Sequence, residues 1–149
     1  MKRLKYLFLI PAFLLTAGNS AFGCVCFGPD NPKEALKYWS DVVFLGEVVA
    51  VEGAAYTFKV ERAWKGVSAS EIVIYDAHPG SSCASDPKKG VRYIIFASVT
   101  DMVTGKPIRL DERQKAMPFF DICSFSISMA NAEKSKRVLK KLGKGRIIQ

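Results

Sequence analysis

Four cysteines, Cys24, Cys26, Cys83 and Cys123, are the residues of this 149-residue chain best suited to chemistry. Thiols can ligate metal, act as nucleophiles or pair as disulfides. Four-cysteine zinc and iron-cluster sites are built from closely spaced pairs, whereas here one C-x-C is followed by two distant, solitary cysteines. An even set in a chain bound for an oxidising compartment reads instead as disulfides. Three pairings are possible. Joining Cys24 to Cys26 would close a very small strained ring and leave the distant pair on its own. If residues 24–26 are extended, both thiols point to one face and can be stapled to the same neighbouring structure. The favoured pairing is Cys24–Cys83 with Cys26–Cys123, each worth about 4 to 5 kcal/mol at most in the chain-entropy description.

The other reactive side chains do not assemble into a catalytic set. The single histidine, His78, lies between Asp76 and Pro79 and reads as an exposed loop residue. One imidazole cannot supply a three-ligand catalytic metal site without carboxylates. Ser81 and Ser82 lack the G-x-S-x-G elbow of an activated serine, and GSSC reads better as a tight loop delivering Cys83 to its partner. Asp76, Asp86, Asp101 and Asp111 fall in loops or at strand ends without an identifiable second carboxylate to tune them. The expectation is a protein that is not an enzyme, with no cofactor and no intrinsic metal.

The segment before Cys24 gives the cysteines their setting. MKRLK is a basic start, YLFLIPAFLLTA an apolar stretch, and Ala21 and Gly23 are small residues at a cleavage site, so residues 1–23 read as a secretory signal peptide. The apolar run is too short to span a bilayer and is followed by Gly18, Asn19 and Ser20. Cleavage after Gly23 would place the protein in the periplasm or outside the cell. The competing outcome is lipidation of Cys24, against which Ala21-Phe22 lacks the leucine and small residue of a lipobox. A mature chain starting at Cys24 would carry an α-amine with an ordinary pKa of about 7.7 to 8.0, partly neutral at physiological pH. That nitrogen and the carbonyl oxygen of Cys24 can close a five-membered chelate on a metal held by another protein. Disulfides at both Cys24 and Cys26 would keep the chelate rigid and lower the ordering cost of binding.

The elements that must position these groups follow. Asn31, Pro32 and Glu34 predict a capped start for a short helix with Ala35, Leu36 and Trp39 on its apolar side. DVVFLGEVVAVE predicts a strand with a bulge or bend at Gly46, and AYTFKVERAW a half-buried strand ended by Lys65-Gly66. EIVIYDA is the third strand, HPGSSCASDPKKG a loop, and VRYIIFASV a central fourth strand. A weak fifth, around residues 107–110, is expected at an edge because of Pro107. Ser128 is expected to cap a helix reaching Leu142, with Met129, Ala132, Val138, Leu139 and Leu142 available for packing. Five short strands with a helix before and a helix after fit a small closed or nearly closed barrel. The 49% apolar content supports a folded core rather than disorder. Of the net charge of +8, almost none belongs to residues 24–129, which carry 12 basic and 13 acidic residues. The surplus lies in the leader and the C-terminal segment. Without aromatic interleaving or a phosphate loop, that segment reads as a solvated helix face and a frayed tail, residues 143–149, with attraction to an acidic envelope surface as the alternative, rather than as a nucleic-acid footprint.

The phrases CVCFGP, EALKYWSDVVFLGEVV, YTFKVERAWKG, GSSCAS and GVRYIIFA, with Cys123 before the final helix, resemble the netrin-like (NTR) module. The likeness is to the N-terminal domain of tissue inhibitors of metalloproteinases, in a short bacterial form, and covers nearly all of residues 24–142. It implies a mainly β, five-stranded OB-like barrel with a flanking short helix and a C-terminal helix. It also implies a monomeric, secreted metalloprotease inhibitor whose inhibitory edge is Cys24, Val25 and Cys26. The Cys24 main-chain nitrogen and oxygen would bind the target's zinc, and Val25 would enter its specificity pocket. The sequence departs from the vertebrate inhibitors in having two fewer N-domain cysteines, no C-terminal subdomain, and Phe27-Gly28 before Pro29. The alternative is a non-catalytic NTR-type binding module for an envelope or extracellular partner, since one fold serves many functions.

Overall fold

Asn31 caps the first helix. Its side-chain oxygen accepts hydrogen bonds from the amides of Lys33 and Glu34, both at 3.1 Å, and Pro32 occupies the first turn, where a missing N–H costs nothing. Helix α1, Pro32–Glu34, winds on as a π-helical turn over Ala35–Trp39 and buries Ala35. The structure is a computed structural model that describes residues 24, 28–29, 31–100, 106, 117–120 and 124–148. The expected signal peptide therefore lies outside the described residues.

Four longer strands follow as expected: β1 (Val42–Glu52), β2 (Ala55–Lys65), β3 (Glu71–Asp76) and β4 (Arg92–Ala97). Three two-residue strands complete the sheet: β5 (Phe119–Phe120), β6 (Ile127–Ser128) and β7 (Arg146–Ile147). The order is β5-β3-β2-β1-β4-β6, with β7 also paired to β2. All pairings are antiparallel except β3 with β5. The sheet curls into a half-barrel. Phe119 links its two sides: beside Tyr75 of β3, it also exchanges amide hydrogen bonds of 2.8 and 3.0 Å with Ser98, just past β4.

Strand β1 explains why the sheet has two cores. Val42, Phe44 and Val48 join Tyr56, Phe58, Ile74, Ile95 and Phe120 on one side, while Val43 and Leu45 join Ile94, Phe96 and Ile127 on the other. The unbroken apolar run VVFL thus reflects a strand covered on both faces. The expected irregularity at Gly46 is present as a register shift between Leu45 and Gly46, where a Cβ would stand 2.7 Å from the Lys59 carbonyl oxygen. Gly66 has φ +68°, and a Cβ there would lie 2.2 Å from the Asp41 carbonyl oxygen, so this turn requires glycine.

Three expectations are corrected. Among the described residues the strand count is seven rather than five, because two-residue ladders are too short to carry a period in sequence. The fifth strand expected at residues 107–110 lies outside the described residues. Ser128 belongs to β6, and helix α2 (Ala132–Leu142) is capped by Asn131, whose side chain accepts from the Lys134 amide at 3.2 Å. Its buried face is Ser135, Val138 and Leu142, with Leu139 partly buried, while Ala132 is exposed. The segment after α2 is not simply a wet tail. Beyond Lys59 the outer edge of β2 is free of β3, and β7 pairs there with Arg62 and Ala63. Trp64 Nε1 donates to the Gly143 carbonyl at 3.1 Å, the Arg146 guanidinium donates to the Val67 carbonyl, and Ile148 packs against the inner core. Ile147 does remain exposed.

Candidate functional site

Cys24 is bonded to Cys83, with 5.8 Å between their Cα atoms. Both residues are half-buried, and the Cys24 Sγ lies 3.9 Å from the hydroxyl of Ser82. The disulfide brings the residue expected to become the N-terminus onto the loop that leaves β3. The architecture of that loop therefore decides how firmly Cys24 is held.

The loop is organised by Asp76, the last residue of β3, which is only 6% exposed. Its own amide donates to the Ala54 carbonyl at 2.9 Å. One carboxylate oxygen accepts from the His78 amide at 2.8 Å, and the other from the Ser85 amide at 2.9 Å. A single buried carboxylate thus clamps both ends of the segment that contains Cys83. Within it, the Ser81 hydroxyl donates to the His78 carbonyl at 2.8 Å and accepts from the Cys83 amide at 3.1 Å. The Ala84 amide closes on the Ser81 carbonyl at 3.1 Å. GSSC is therefore the tight delivery loop that its composition suggested, with Ser81 spent on backbone hydrogen bonds. Further along, Asp86 pairs with Lys88, and the Lys88 amide donates to the Tyr93 hydroxyl at 2.9 Å.

Next to this loop a cavity of about 230 Å³ opens among Ser85, Pro87, Tyr93, Ile95 and Phe120. The Ser85 hydroxyl is buried without a hydrogen-bond partner. Tyr56 packs edge-to-face on Phe120 with ring centroids 5.8 Å apart. Burial, followed by the negative charge of Asp76 and of Asp86, pushes its phenol above the ordinary value of 10.0.

Three further described carboxylates have structural partners. Asp41 accepts from the Val99 amide at 3.0 Å, Glu61 pairs with Arg92, and Glu133 pairs with Arg137. The hydrogen bond from Arg92 to Glu61 raises the guanidinium pKa further. His78 is exposed, as read from the sequence. Val25, Cys26 and Cys123 lie outside the described residues, as do Asp101 and Asp111, so the Cys26–Cys123 bond and the placement of Val25 are not part of the described geometry. Sequence reasoning placed Asp76 at a loop or strand end but missed its role as the loop's clamp. The available signal was an aspartate two residues before a loop amide, a spacing that favours a side-chain-to-backbone turn.

The fold and site define a class: a mainly β domain with a curled sheet, whose N-terminal segment is disulfide-bonded to a carboxylate-clamped loop. A scan against protein-family models finds no match, and a search of curated proteins finds none either.

Proposed function

We propose that this protein is an exported metalloendopeptidase inhibitor of the netrin-like type, built on an OB-like barrel and without enzymatic activity of its own. Removal of residues 1–23 would make Cys24 the first residue. Its α-amine and carbonyl would chelate the catalytic zinc of a target peptidase and displace the water that the zinc activates. Val25 would fill the adjoining apolar pocket.

The observation that supports this reading is the Cys24–Cys83 bond to a loop fixed at both ends by Asp76. A flexible terminus would have to be ordered on binding. A tether to a hydrogen-bonded loop removes part of that cost in advance.

The test is a screen of protein recovered from its export compartment against a panel of zinc metallopeptidases, with the N-terminus established by intact mass. Inhibition of at least one member by the form starting at Cys24 is the expected result. A lipid mass on Cys24, or no inhibition across a broad panel, would replace this reading with a netrin-like binding module lacking peptidase inhibition.

A further inference from the structure

A second feature lies away from the disulfide loop, between α1 and α2. A cavity of about 510 Å³ is lined by the apolar groups of Pro32, Phe125 and Val138 and ringed by Lys33, Lys134, Arg137, Lys140 and Lys141. Phe125 is fixed there by edge-to-face packing on Phe96, at 5.5 Å between ring centroids. The five cations are exposed, and Arg137 is paired with Glu133 on the same helix. Lys136 extends the exposed basic surface along α2. Glu34 and Glu133 are the carboxylates of these two helices. The groove is therefore a short apolar slot inside a ring of positive charge.

This charge is concentrated, since residues 24–129 carry 12 basic and 13 acidic residues and are close to neutral. An uneven distribution of this kind orients a molecule in the field of a negatively charged surface, with α2 leading. Helix α2 is about 16 Å long at the usual rise per residue, so its cations meet several neighbouring anions at once rather than a single carboxylate. Its apolar side is committed to the core through Ser135, Val138 and Leu142, which excludes insertion of the helix itself. What remains is attachment at a surface: lysine and arginine heads on anionic groups, with their stems and the partly exposed Phe125 against hydrocarbon just below. That layering matches the headgroup and acyl order of an anionic bilayer.

We infer that the α1–α2 groove is a peripheral docking site for anionic phospholipid membranes. The site is independent of the Cys24 edge and requires no membrane-spanning helix; among the described residues no helix is long and apolar enough to span.

Co-sedimentation with vesicles of equimolar phosphatidylglycerol and phosphatidylcholine, compared with pure phosphatidylcholine, tests the inference. Binding to the anionic vesicles alone is expected, falling steeply with added salt. The double variant Lys134→Glu, Lys141→Glu should weaken partitioning by at least about 25-fold, since each cation near an anionic surface contributes about five-fold. Lys59→Glu, Lys89→Glu, at exposed positions outside the groove, makes the same change in net charge and should cost less than about a third of the groove effect on a logarithmic scale. All proteins share one N-terminus, so any leader contribution is common to them, and circular dichroism melts confirm equal folding. Equal losses in the two double variants, an unchanged groove variant, or no vesicle binding would overturn the inference. Binding to soluble polyglutamate in place of vesicles would overturn it in favour of an acidic protein partner.

Discussion

The loop carrying Cys83 and the segment carrying α2 and β7 are both fastened to the curled sheet, but by different forces. From Ala77 to Gly90, Pro87 is the one buried residue, and the loop depends on the Asp76 carboxylate, local turns and a covalent bond. The C-terminal segment instead buries Ser135, Val138 and Leu142, packs Ile148 on the inner core and adds β7 to the edge of β2. A segment with too little apolar surface to hold itself down needs polar and covalent ties. Such ties fix the position of a few atoms, which suits a recognition edge, whereas distributed packing mainly supplies stability.

The largest effect should come from the packed segment. Leu142→Ala should lower unfolding stability by about 2 to 5 kcal/mol in chemical denaturation, through lost burial and the cavity left under α2. Removing the covalent tie with the double variant Cys24→Ser, Cys83→Ser should cost about 2 to 4 kcal/mol and leave no odd thiol. Hydrogen exchange should then show faster opening confined to the loop and the residues around position 24, in contrast to the wider opening expected for Leu142→Ala.

Asp76→Ala should cost about 2 kcal/mol, because the His78 and Ser85 amides lose a charged acceptor while water replaces part of the interaction. Exchange at those two amides should accelerate even with the disulfide intact. If they stay protected, the clamp is not what orders the loop.

The smallest effect concerns Tyr56. Its folded-state pKa is raised above 10.0, so its contribution to stability is fully present below pH 10 and is lost as pH rises through the folded value. Denaturation midpoints measured upward from pH 9 should fall, and Tyr56→Phe should remove part of that slope.

Much of this architecture was legible in the sequence. β-branched runs marked β1 to β4, Gly46 and Gly66 marked the irregularity and the turn, and the Asn31-Pro32 pair marked the start of α1. The Cys24–Cys83 bond follows the favoured pairing. What escaped was set by contacts distant in the chain. Phe119–Phe120 and Arg146–Ile147 become strands because β3, the residue past β4 and the free edge of β2 offer partners, which no local pattern announces. Ser128 looked like a cap because serine is a favoured capping residue, but Asn131 takes that place. Pairing with Tyr93 of β4 takes Ser128 into the sheet instead. Asp76 resembled any strand-end aspartate, and its burial depends on how the loop folds back over it.

The central claim is that Cys24 acts through its own main-chain atoms. The most direct measurement compares inhibition of one responsive zinc peptidase by the form starting at Cys24 and by a form with a single alanine added before it. The addition replaces the amine with an amide nitrogen, whose delocalised lone pair coordinates poorly, and leaves the Cys24–Cys83 bond in place. Inhibition should weaken by at least about a hundred-fold, since losing a metal ligand exceeds the roughly 10- to 100-fold cost of losing an outer-shell partner. Melting temperature should stay unchanged. Equal inhibition by the two forms would contradict the account.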